Sequence, residues 1–272
     1  MKKNNYLLTI ITVCYNAENT IEKCIKSVTN QLNDSVEYLI IDGASTDNTL
    51  KIIDKYKRFL KCYSEKDSGI YNAMNKGIDK ANGKYILYMN SDDQLKEGVI
   101  NTILKAIKTN KDCYFGDTQT HYYVSHDDYS RIEIASENFN LLPKNPLYYH
   151  QSFWAKKEAL IKVGKFDETF KIAADWELMF RLYGSGCSFE HINFVISDYY
   201  FGGASAKWHV MERHRVRKKN NAYKIFDKYI IRDFIKFSKD LVLNMIIGND
   251  KHNLLIVKRK GYKLNENFEK DN

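Results

Sequence analysis

Apolar positions along the first ninety residues follow two alternating patterns. Short, mostly apolar runs occupy positions 7–13, 36–41, 59–63 and 85–89, and the first of them is rich in β-branched residues. Between the first two, apolar side chains recur every three or four residues, at Ile21, Cys24, Ile25 and Val28, and the segment 70–80 repeats this helical spacing. Repeated strand, loop and helix units predict an α/β fold with a mostly parallel, Rossmann-like sheet of buried strands.

The pattern is looser after residue 94 and becomes helical and basic near the end. We predict helices near 99–108 and 175–183, a strand near 113–118, and an amphipathic helix at 229–246. Residues from about 258 onward show little pattern, which is typical of a frayed tail. These shifts predict one domain at residues 1–205 and a basic helical C-terminal extension at residues 206–272.

The formal net charge is +8, and the excess is concentrated at residues 207–224. Nucleic acid, anionic lipid headgroups and a lipid-linked diphosphate all attract such a segment. Because zinc-finger spacing and known RNA-binding motifs are absent from the sequence, we expect no nucleic acid partner. The amphipathic helix either contacts a membrane or packs on the protein's own core, and no stretch of the sequence is apolar enough to span a bilayer.

Cysteine usage and the N-terminus indicate the compartment. Five cysteines are scattered without C-x-x-C spacing, which suits a reducing cytoplasm. The apolar run after residue 5 is short and interrupted by polar residues, so we expect no secretion signal. The expected location is therefore the cytoplasm, with peripheral contact to the inner face of the membrane as the second possibility.

Polar and mostly acidic residues follow each predicted strand: Tyr15 and Asn16, then Asp42, then Glu65 and Asp67, then the segment 90–93. Ligands of open α/β sheets bind beyond the carboxyl ends of the strands. Carboxylates that converge there repel one another unless a cation lies between them. Mn²⁺ or Mg²⁺ with the phosphates of a nucleotide diphosphate would complete such a site.

Several segments resemble those of family-two glycosyltransferases of the bacterial polysaccharide type, and they occur in that family's order. They are TVCYN at 12–16, DGASTD at 42–47, DSGIYNAMNKG at 67–77, NSDD at 90–93, HQ at 150–151, GKFD at 164–167, ADWEL at 174–178 and GGAS at 202–205. The resemblance implies a GT-A fold. It also implies inverting transfer of a hexosyl or N-acetylhexosaminyl group from a nucleotide diphosphate donor, with a UDP-sugar expected.

The resemblance also implies roles for individual residues. Asp175 would be the catalytic base, and Asp93 the metal ligand, with His209 as a second candidate ligand. Tyr15 would stack on the nucleobase and Asp42 would accept its ring N–H. The remaining expected contacts to the nucleotide sugar are Thr12, Asn16, Asp67, Asn75, Lys76 and Asp92, and those on the acceptor side are His150, Trp176 and Glu177.

Two positions depart from the family's pattern, since Ser91 and Ala174 stand where relatives often carry acids. Asp92 would then serve the ribose alone, and Glu177 is a possible substitute for the missing acid. The departures leave open a non-catalytic relative that binds a nucleotide sugar. Simpler structural roles also stay open, because Asp92 and Asp175 suit helix N-termini and a lone histidine such as His150 is often structural. The expected acceptor is a glycan or lipid-linked hydroxyl in the synthesis of a bacterial surface polysaccharide such as capsule or lipopolysaccharide.

Overall fold

A computed structural model describes residues 6–125, 127–202, 210–223 and 227–265. In its first half, strands and helices alternate as predicted. The elements are β1 (Leu8–Cys14), α1 (Ile21–Thr29), β2 (Val36–Asp42), α2 (Thr49–Asp54), β3 (Lys61–Ser64), α3 (Ile70–Lys80), β4 (Tyr85–Asn90), β5 (Gln94–Leu95) and α4 (Val99–Ala106).

The second half contains longer strands, and helices close the chain. Its elements are β6 (Cys113–Val124), β7 (Asp127–Glu133), β8 (Phe153–Lys156), α5 (Lys157–Lys162), α6 (Ala174–Gly184), β9 (Phe189–Tyr200), α7 (Val210–Lys219), α8 (Lys228–Ile247), α9 (Asn249–Arg259) and β10 (Lys263–Leu264).

The strands form one mixed sheet in the order β10-β7-β6-β8-β4-β1-β2-β3. The segment β3-β2-β1-β4 is parallel throughout, whereas β8 pairs antiparallel with both β4 and β6. Strand β9 runs parallel to β6 and also pairs with the short β5. The predicted α/β architecture with a parallel core is confirmed, and antiparallel strands extend it on the side of the second half.

Helices cover both faces of the parallel segment, so β1 and β2 are buried along their whole length. Ile11 and Ile41 face α3, and a side chain at Gly77 would meet Cγ2 of Ile11 at 2.8 Å. Glycine therefore allows α3 to approach the sheet closely. On the other face, Ile10 and Ile40 belong to a second core cluster that includes residues of α1 and α4.

The predicted third strand at residues 59–63 is present, but the prediction that it is buried was wrong. Strand β3 begins at Lys61, has β2 as its only paired strand among the described residues, and is largely exposed. The buried residue of this segment is Leu60, just before the strand. An edge strand has one uncovered side, so a mixed polar and apolar sequence is tolerated there.

Residues 263–264, which belong to the segment that we expected to be frayed, join the sheet, whereas the last residues of that segment, 266–272, lie outside the described residues. Strand β10 pairs antiparallel with β7, and the hydroxyl of Tyr262 lies 3.0 Å from that of Thr120 on β6. The predicted domain boundary at residue 205 lies outside the described residues and stays a prediction. The C-terminal segment is nevertheless not purely helical, because it contributes this edge strand.

A buried histidine links three strands of the second half. His121 on β6 contacts Asp128 through Nδ1 at 2.8 Å and Asp198 on β9 through Nε2 at 2.7 Å. Burial opposes protonation of His121, but the hydrogen bonds to the two carboxylates outweigh it and raise the pKa above the usual value. The protonated ring is thus the partner that these acids require.

This cluster predicts a pH-dependent stability. A histidine whose pKa is raised on folding stabilises the fold fully below its unfolded pKa, about 6.5, and the contribution is lost as pH rises through the folded pKa. We expect His121→Ala to lower the free energy of unfolding by about 3 kcal/mol at pH 6, because two acids lose their buried partner. The difference from wild type should shrink toward pH 9 in urea titrations. A difference that does not vary with pH would contradict a charged His121.

Candidate active site

One cavity of about 1010 Å³ lies beyond the carboxyl ends of β1 and β4. It is lined by six of the residues predicted from the sequence, which come from five separate parts of the chain. They are Tyr15, Asn16, Asp67, Asp92, His150 and Asp175. The parallel strands carry the first four to the same edge of the sheet, where α/β folds bind ligands.

Hydrogen bonds tie the loops after β1 and β2 together. Asn16 has a positive φ of 49°, its backbone N–H donates to Ser45 Oγ at 2.8 Å, and its Oδ1 accepts from the Thr46 N–H at 2.9 Å. Asparagine tolerates this left-handed conformation better than most residues. The resulting turn leaves Tyr15 63% exposed on the cavity wall, as a nucleobase platform requires.

Asp42 and Thr12 do not line the cavity, so their predicted direct contacts to the nucleotide are not supported. Asp42 is fully buried, and its carboxylate accepts hydrogen bonds from Ser45 N and from Ser64 Oγ at 3.0 and 2.6 Å. The hydroxyl of Thr12 is buried 3.0 Å from that of Tyr38. Both residues stabilise the layer beneath the cavity, because each side chain points into the fold.

Asp67 lies close to Tyr15 at the cavity because residue 43 is a glycine. A side chain at Gly43 would meet Asp67 Oδ2 at 2.7 Å and Cδ2 of Tyr15 at 3.4 Å. Oδ1 of Asp67 accepts from the Gly69 N–H at 2.9 Å, which orients the carboxylate at the start of α3. Gly43 is thus the point around which Tyr15 and Asp67 come together.

The two adjacent aspartates after β4 have different environments. Asp93, predicted as the metal ligand, is fully buried and accepts from Gln151 Nε2 at 2.6 Å, Asn90 Nδ2 at 3.1 Å and Tyr200 N at 3.1 Å. Burial, and then the charge of Asp92, raise the pKa of Asp93 to about 7. Asp92 lines the cavity instead, and burial raises its pKa as well. The metal role of Asp93 stays a prediction; because its oxygens accept hydrogen bonds inside the fold whereas Asp92 lines the cavity, Asp92 is the second candidate ligand.

A chain of contacts connects Asp93 with Asp175. Because Asn90 donates its amide N–H to Asp93, its Oδ1 is left to accept from His150 Nε2 at 3.2 Å. The other ring nitrogen of His150, Nδ1, then lies 3.5 Å from Asp175 Oδ2. His150 therefore holds a defined orientation between the segment after β4 and the predicted base.

Asp175 lies in the first turn of α6, where its Oδ1 accepts a hydrogen bond from the backbone N–H of Trp176 at 2.8 Å. Tyr71 Oη lies 3.3 Å from the same oxygen, but its single proton is donated to the nearer carbonyl of Ile172, at 2.6 Å. The carboxylate is consequently fixed, with its side chain on the cavity wall. One oxygen of Asp175 therefore serves the backbone, and Oδ2 faces His150.

Trp176 and Glu177, which were predicted on the acceptor side, are buried and do not line the cavity. Trp176 is buried, donates from Nε1 to the carbonyl of Leu142 at 2.9 Å, and lies under the guanidinium of Arg213. Glu177 is buried and paired with Arg181 at 2.6 Å and Lys219 at 2.8 Å. Successive residues of a helix point about 100° apart, so the residues after Asp175 turn away from the cavity. Ala174, where relatives often carry an acid, is buried as well.

Asn75 and Lys76, both on α3, also have structural partners away from the cavity. The amide of Asn75 donates to Glu168 Oε1 at 2.8 Å and to the Phe166 carbonyl at 2.9 Å, and its Oδ1 accepts from the Phe166 N–H. Lys76 donates to the Lys66 carbonyl at 2.8 Å and pairs with Glu65 at 3.3 Å. Their predicted contacts to the donor are therefore not supported.

Two further cavity residues escaped the sequence analysis. Tyr71 lies in the segment that carries the family resemblance, but its pattern indicated only a helix. Lys260 lines the cavity from the end of α9, in a segment that was expected to be frayed. Only its tertiary position makes it a candidate, because no local motif surrounds it.

The donor set suits a metal that is held largely by its substrate. Within residues 6–125, 127–202, 210–223 and 227–265, no group of three or more His, Cys, Asp or Glu side chains is arranged to hold a metal ion. Mg²⁺ and Mn²⁺ usually bind through one or two carboxylates plus substrate phosphates, so a site with Asp92 as its single protein carboxylate meets this requirement. His209, the second predicted ligand, lies outside the described residues.

The fold is of the GT-A type, and comparisons with known proteins agree. The model of the family described as "Glycosyl transferase family 2" matches residues 9–170. The chain therefore belongs to glycosyl transferase family 2. The predicted family and GT-A fold are confirmed.

Relatives point to the same class of enzyme. The chain is 25% identical over 214 residues to a PGL/p-HBAD biosynthesis glycosyltransferase of Mycobacterium bovis, covering 73% of this chain and 79% of the relative. It is 34% identical over 116 residues to the putative teichuronic acid biosynthesis glycosyltransferase TuaG of Bacillus subtilis, covering 41% and 46%.

Solved structures share the fold at low sequence identity. TarS of S. aureus in complex with UDP-GlcNAc matches with a TM-score of 0.64 at 16% identity, covering 85% of this chain and 71% of that one. The mannosyltransferase PcManGT from Pyrobaculum calidifontis, in complex with GDP-Man and Mn²⁺, matches with a TM-score of 0.60 at 16% identity, covering 94% and 80%.

The corrected position of Asn75 yields a direct test. We expect Asn75→Ala to lower the free energy of unfolding by about 1–3 kcal/mol, because it removes hydrogen bonds between α3 and the segment 166–168. The affinity for a nucleoside diphosphate should stay within a factor of about two, because the side chain does not line the cavity. Urea denaturation and calorimetric titration with UDP measure the two effects. Weakened UDP binding without loss of stability would restore Asn75 as a nucleotide contact.

Proposed function

We propose that this glycosyltransferase moves a hexosyl or N-acetylhexosaminyl group from a UDP-sugar to a hydroxyl of a glycan or lipid-linked acceptor, with inversion at the anomeric carbon. One observation carries the proposal: Tyr15, Asp67, Asp92 and the Asp175–His150 pair all line one cavity. A nucleotide sugar and an acceptor hydroxyl fit such a cavity together, because it carries an exposed aromatic ring, acidic groups and a fixed carboxylate.

The donor would bind at the ends of β1 and β4. Tyr15 offers an exposed ring for stacking with the nucleobase, and Asp67 lies beside it at Gly43. The ribose and diphosphate would then extend toward Asn90, Ser91 and Asp92. A complex of TarS with UDP-GlcNAc, a protein of the same fold, supports the choice of a UDP-sugar.

Asp175 would act as the general base. Its Oδ2 accepts the proton of the acceptor hydroxyl while the acceptor oxygen forms its bond to the anomeric carbon. The bond from that carbon to the diphosphate oxygen breaks at the same time, and the electron pair leaves with the nucleoside diphosphate. A single displacement of this kind inverts the configuration. His150 would orient Asp175 through the contact at 3.5 Å.

A divalent cation, Mn²⁺ or Mg²⁺, would stabilise the negative charge on the departing diphosphate. Asp92 is the proposed protein ligand, because its carboxylate lines the cavity whereas that of Asp93 is used inside the fold. Burial raises the pKa of Asp92, and a neighbouring cation would oppose that effect. The Mn²⁺ in the complex of PcManGT supports this assignment.

The acceptor would belong to a bacterial cell surface polymer or glycolipid. The printed names of the relatives support this class, since they include teichuronic acid biosynthesis and PGL/p-HBAD biosynthesis. The cavity extends past Asp175 to Tyr149, Glu133 and Lys260, which offers a polar and aromatic surface for a sugar acceptor. Such enzymes work where the donor is made, so we propose a cytoplasmic location.

The role of Asp175 is tested by Asp175→Asn. We expect kcat to fall about 10²- to 10⁴-fold, because the amide cannot accept the proton, whereas UDP affinity stays unchanged. Asp54→Asn, an exposed carboxylate on α2, is the matched control and should have wild-type kcat. The turnover of both variants is measured as release of UDP from a UDP-sugar in the presence of an acceptor panel, and their UDP affinity is measured by calorimetric titration. Normal turnover of Asp175→Asn would remove it as the base.

The metal assignment is tested by Asp92→Ala. UDP affinity in the presence of Mn²⁺ should fall on the order of 10- to 100-fold, whereas the weaker affinity in EDTA stays the same. Calorimetric titration of wild type, Asp92→Ala and the control Asp54→Ala provides the comparison without any turnover. If Asp92→Ala keeps the full enhancement by Mn²⁺, Asp92 is not the ligand.

A further inference from the structure

The second half of α8 presents a large apolar surface that nothing in the described chain covers. From Phe234 onward, most of its side chains are exposed. Met245 is 77% and Ile246 72% exposed. The other exposed apolar residues of this helix are Ile231, Phe234, Ile235, Phe237, Leu241, Val242 and Leu243. Together with Met245 and Ile246, these residues are called the α8 surface. Soluble proteins rarely leave so many large apolar side chains together in water.

Most of the exposed apolar side chains fall on one side of the helix, and Lys239 borders them; Leu243 lies beyond Lys239. At 100° per residue, Phe234, Leu241 and Met245 form the centre of a stripe that Ile235 and Ile246 widen to about half of the circumference. Lys239 follows at one edge of this stripe, and Lys236 lies farther round the helix. Away from the stripe, Asp240 Oδ1 lies 3.7 Å from His252 Nε2 of α9, and Asn244 Oδ1, next to Phe237 at the other edge, contacts His252 Nδ1. Helix α9 therefore packs beside the stripe and leaves its centre facing outward.

Buried ion pairs fix the first half of α8 on the body of the protein. Arg217 of α7 pairs with Asp227 at 2.7 Å and Asp233 at 3.1 Å, and both acids are nearly fully buried. Arg213 also pairs with Asp233, at 3.2 Å. The orientation of the α8 surface is thus set by the fold, because the helix cannot turn about its axis without breaking these pairs.

The anchored end of α8 lies next to the mouth of the cavity. Arg232 donates to the carbonyl of Lys144 at 3.1 Å, and Arg213 donates to Asn145 Oδ1 at 3.1 Å. Asn145 and Pro146 line the cavity, as does Lys260 at the end of α9. A surface that held α8 would therefore lie near the acceptor part of the cavity.

The charge of this region is complementary to an anionic surface. Residues 227–265 contain nine Lys or Arg and four Asp. Two of these acids, Asp227 and Asp233, are buried in the ion pairs with α7, so the exposed charge is strongly positive. A second copy of the chain would supply the same positive charges again, whereas anionic lipid headgroups match both the lysines and the apolar stripe.

We propose that the α8 surface docks on a bilayer that contains anionic lipids, with the apolar stripe in the headgroup region and the lysines at the phosphates. Among the described residues, no helix has the length and apolar content needed to cross a membrane. Docking along the bilayer surface would bring the mouth of the cavity to the lipid. This inference rests on the proposed function and adds to it that the acceptor is lipid-borne. Binding itself requires neither donor nor acceptor.

Vesicle sedimentation tests the proposal with the full chain. Wild type should sediment with vesicles of phosphatidylcholine and phosphatidylglycerol, and less with phosphatidylcholine alone. The double variant Leu241→Ser/Met245→Ser should bind the vesicles at least about tenfold more weakly than wild type, because two large apolar side chains no longer enter the lipid. Lys239→Glu should weaken binding to the anionic vesicles specifically. The matched control is Leu7→Ser/Ile161→Ser, two exposed apolar residues on other elements, and should bind like wild type.

Three results would overturn the proposal: no binding by wild type, equal binding by the α8 double variant, or equal loss in the control. The α8 surface could instead be covered by a second copy of the chain, and light scattering in the absence of lipid tests this alternative. A wild-type dimer that becomes monomeric in the double variant and ignores vesicles would mean that a second copy covers the surface. UDP titration of each variant reports on folding and on the donor site. Failure of UDP binding in wild type would reject the proposed function while leaving the vesicle result interpretable.

Discussion

Parallel pairing of β3-β2-β1-β4, with helices on both faces, is the constraint on which the rest of this structure depends. Strands buried on both sides leave no room for polar side chains along their length, so these collect where the strands end. Parallel strands end at the same edge, and Tyr15, Asn16, Asp67 and Asp92 therefore meet there although up to 77 residues separate them in sequence. The cavity is a consequence of the way the core is built.

A layer of fully bonded polar groups supports this cavity from below. Asp42, Thr12 and Asp93 are buried and have hydrogen-bond partners, as buried polar groups require. Each lies next to, or beneath, a residue that faces the cavity. The adjacent pair of Asp92 and Asp93 illustrates the division: one carboxylate is available to a ligand, and the other orients Asn90 and, through it, His150. An active site needs both layers, because a freely rotating carboxylate is a poor ligand and a poor base.

Sequence reasoning succeeded where a local pattern has only one structural meaning. Alternating apolar periodicities predicted the strands β1, β2 and β4 and the helix α3 within one or two residues. It failed where tertiary contacts determine whether a segment is buried or paired. Residues 59–63 look like a buried strand, but β3 lies at the sheet edge. The segment after residue 258 looks disordered, yet β10 is paired and Tyr262 is buried, because long-range contacts replace the missing local pattern.

By itself the sequence determined the fold class, the family and the set of polar residues around the strand ends, because spacing and residue type are written in the chain. Tertiary structure alone decided which of these residues face the cavity. In a motif such as NSDD or ADWEL, one residue faces the cavity and its neighbour faces the core, because successive residues of a helix point about 100° apart and a tight turn has a similar effect. That direction depends on packing against distant segments, as for Asp93 against Gln151 and Trp176 against Leu142. The same holds for α8, whose amphipathic pattern is visible in the sequence but whose uncovered side is defined only by the buried arginines and aspartates that hold it.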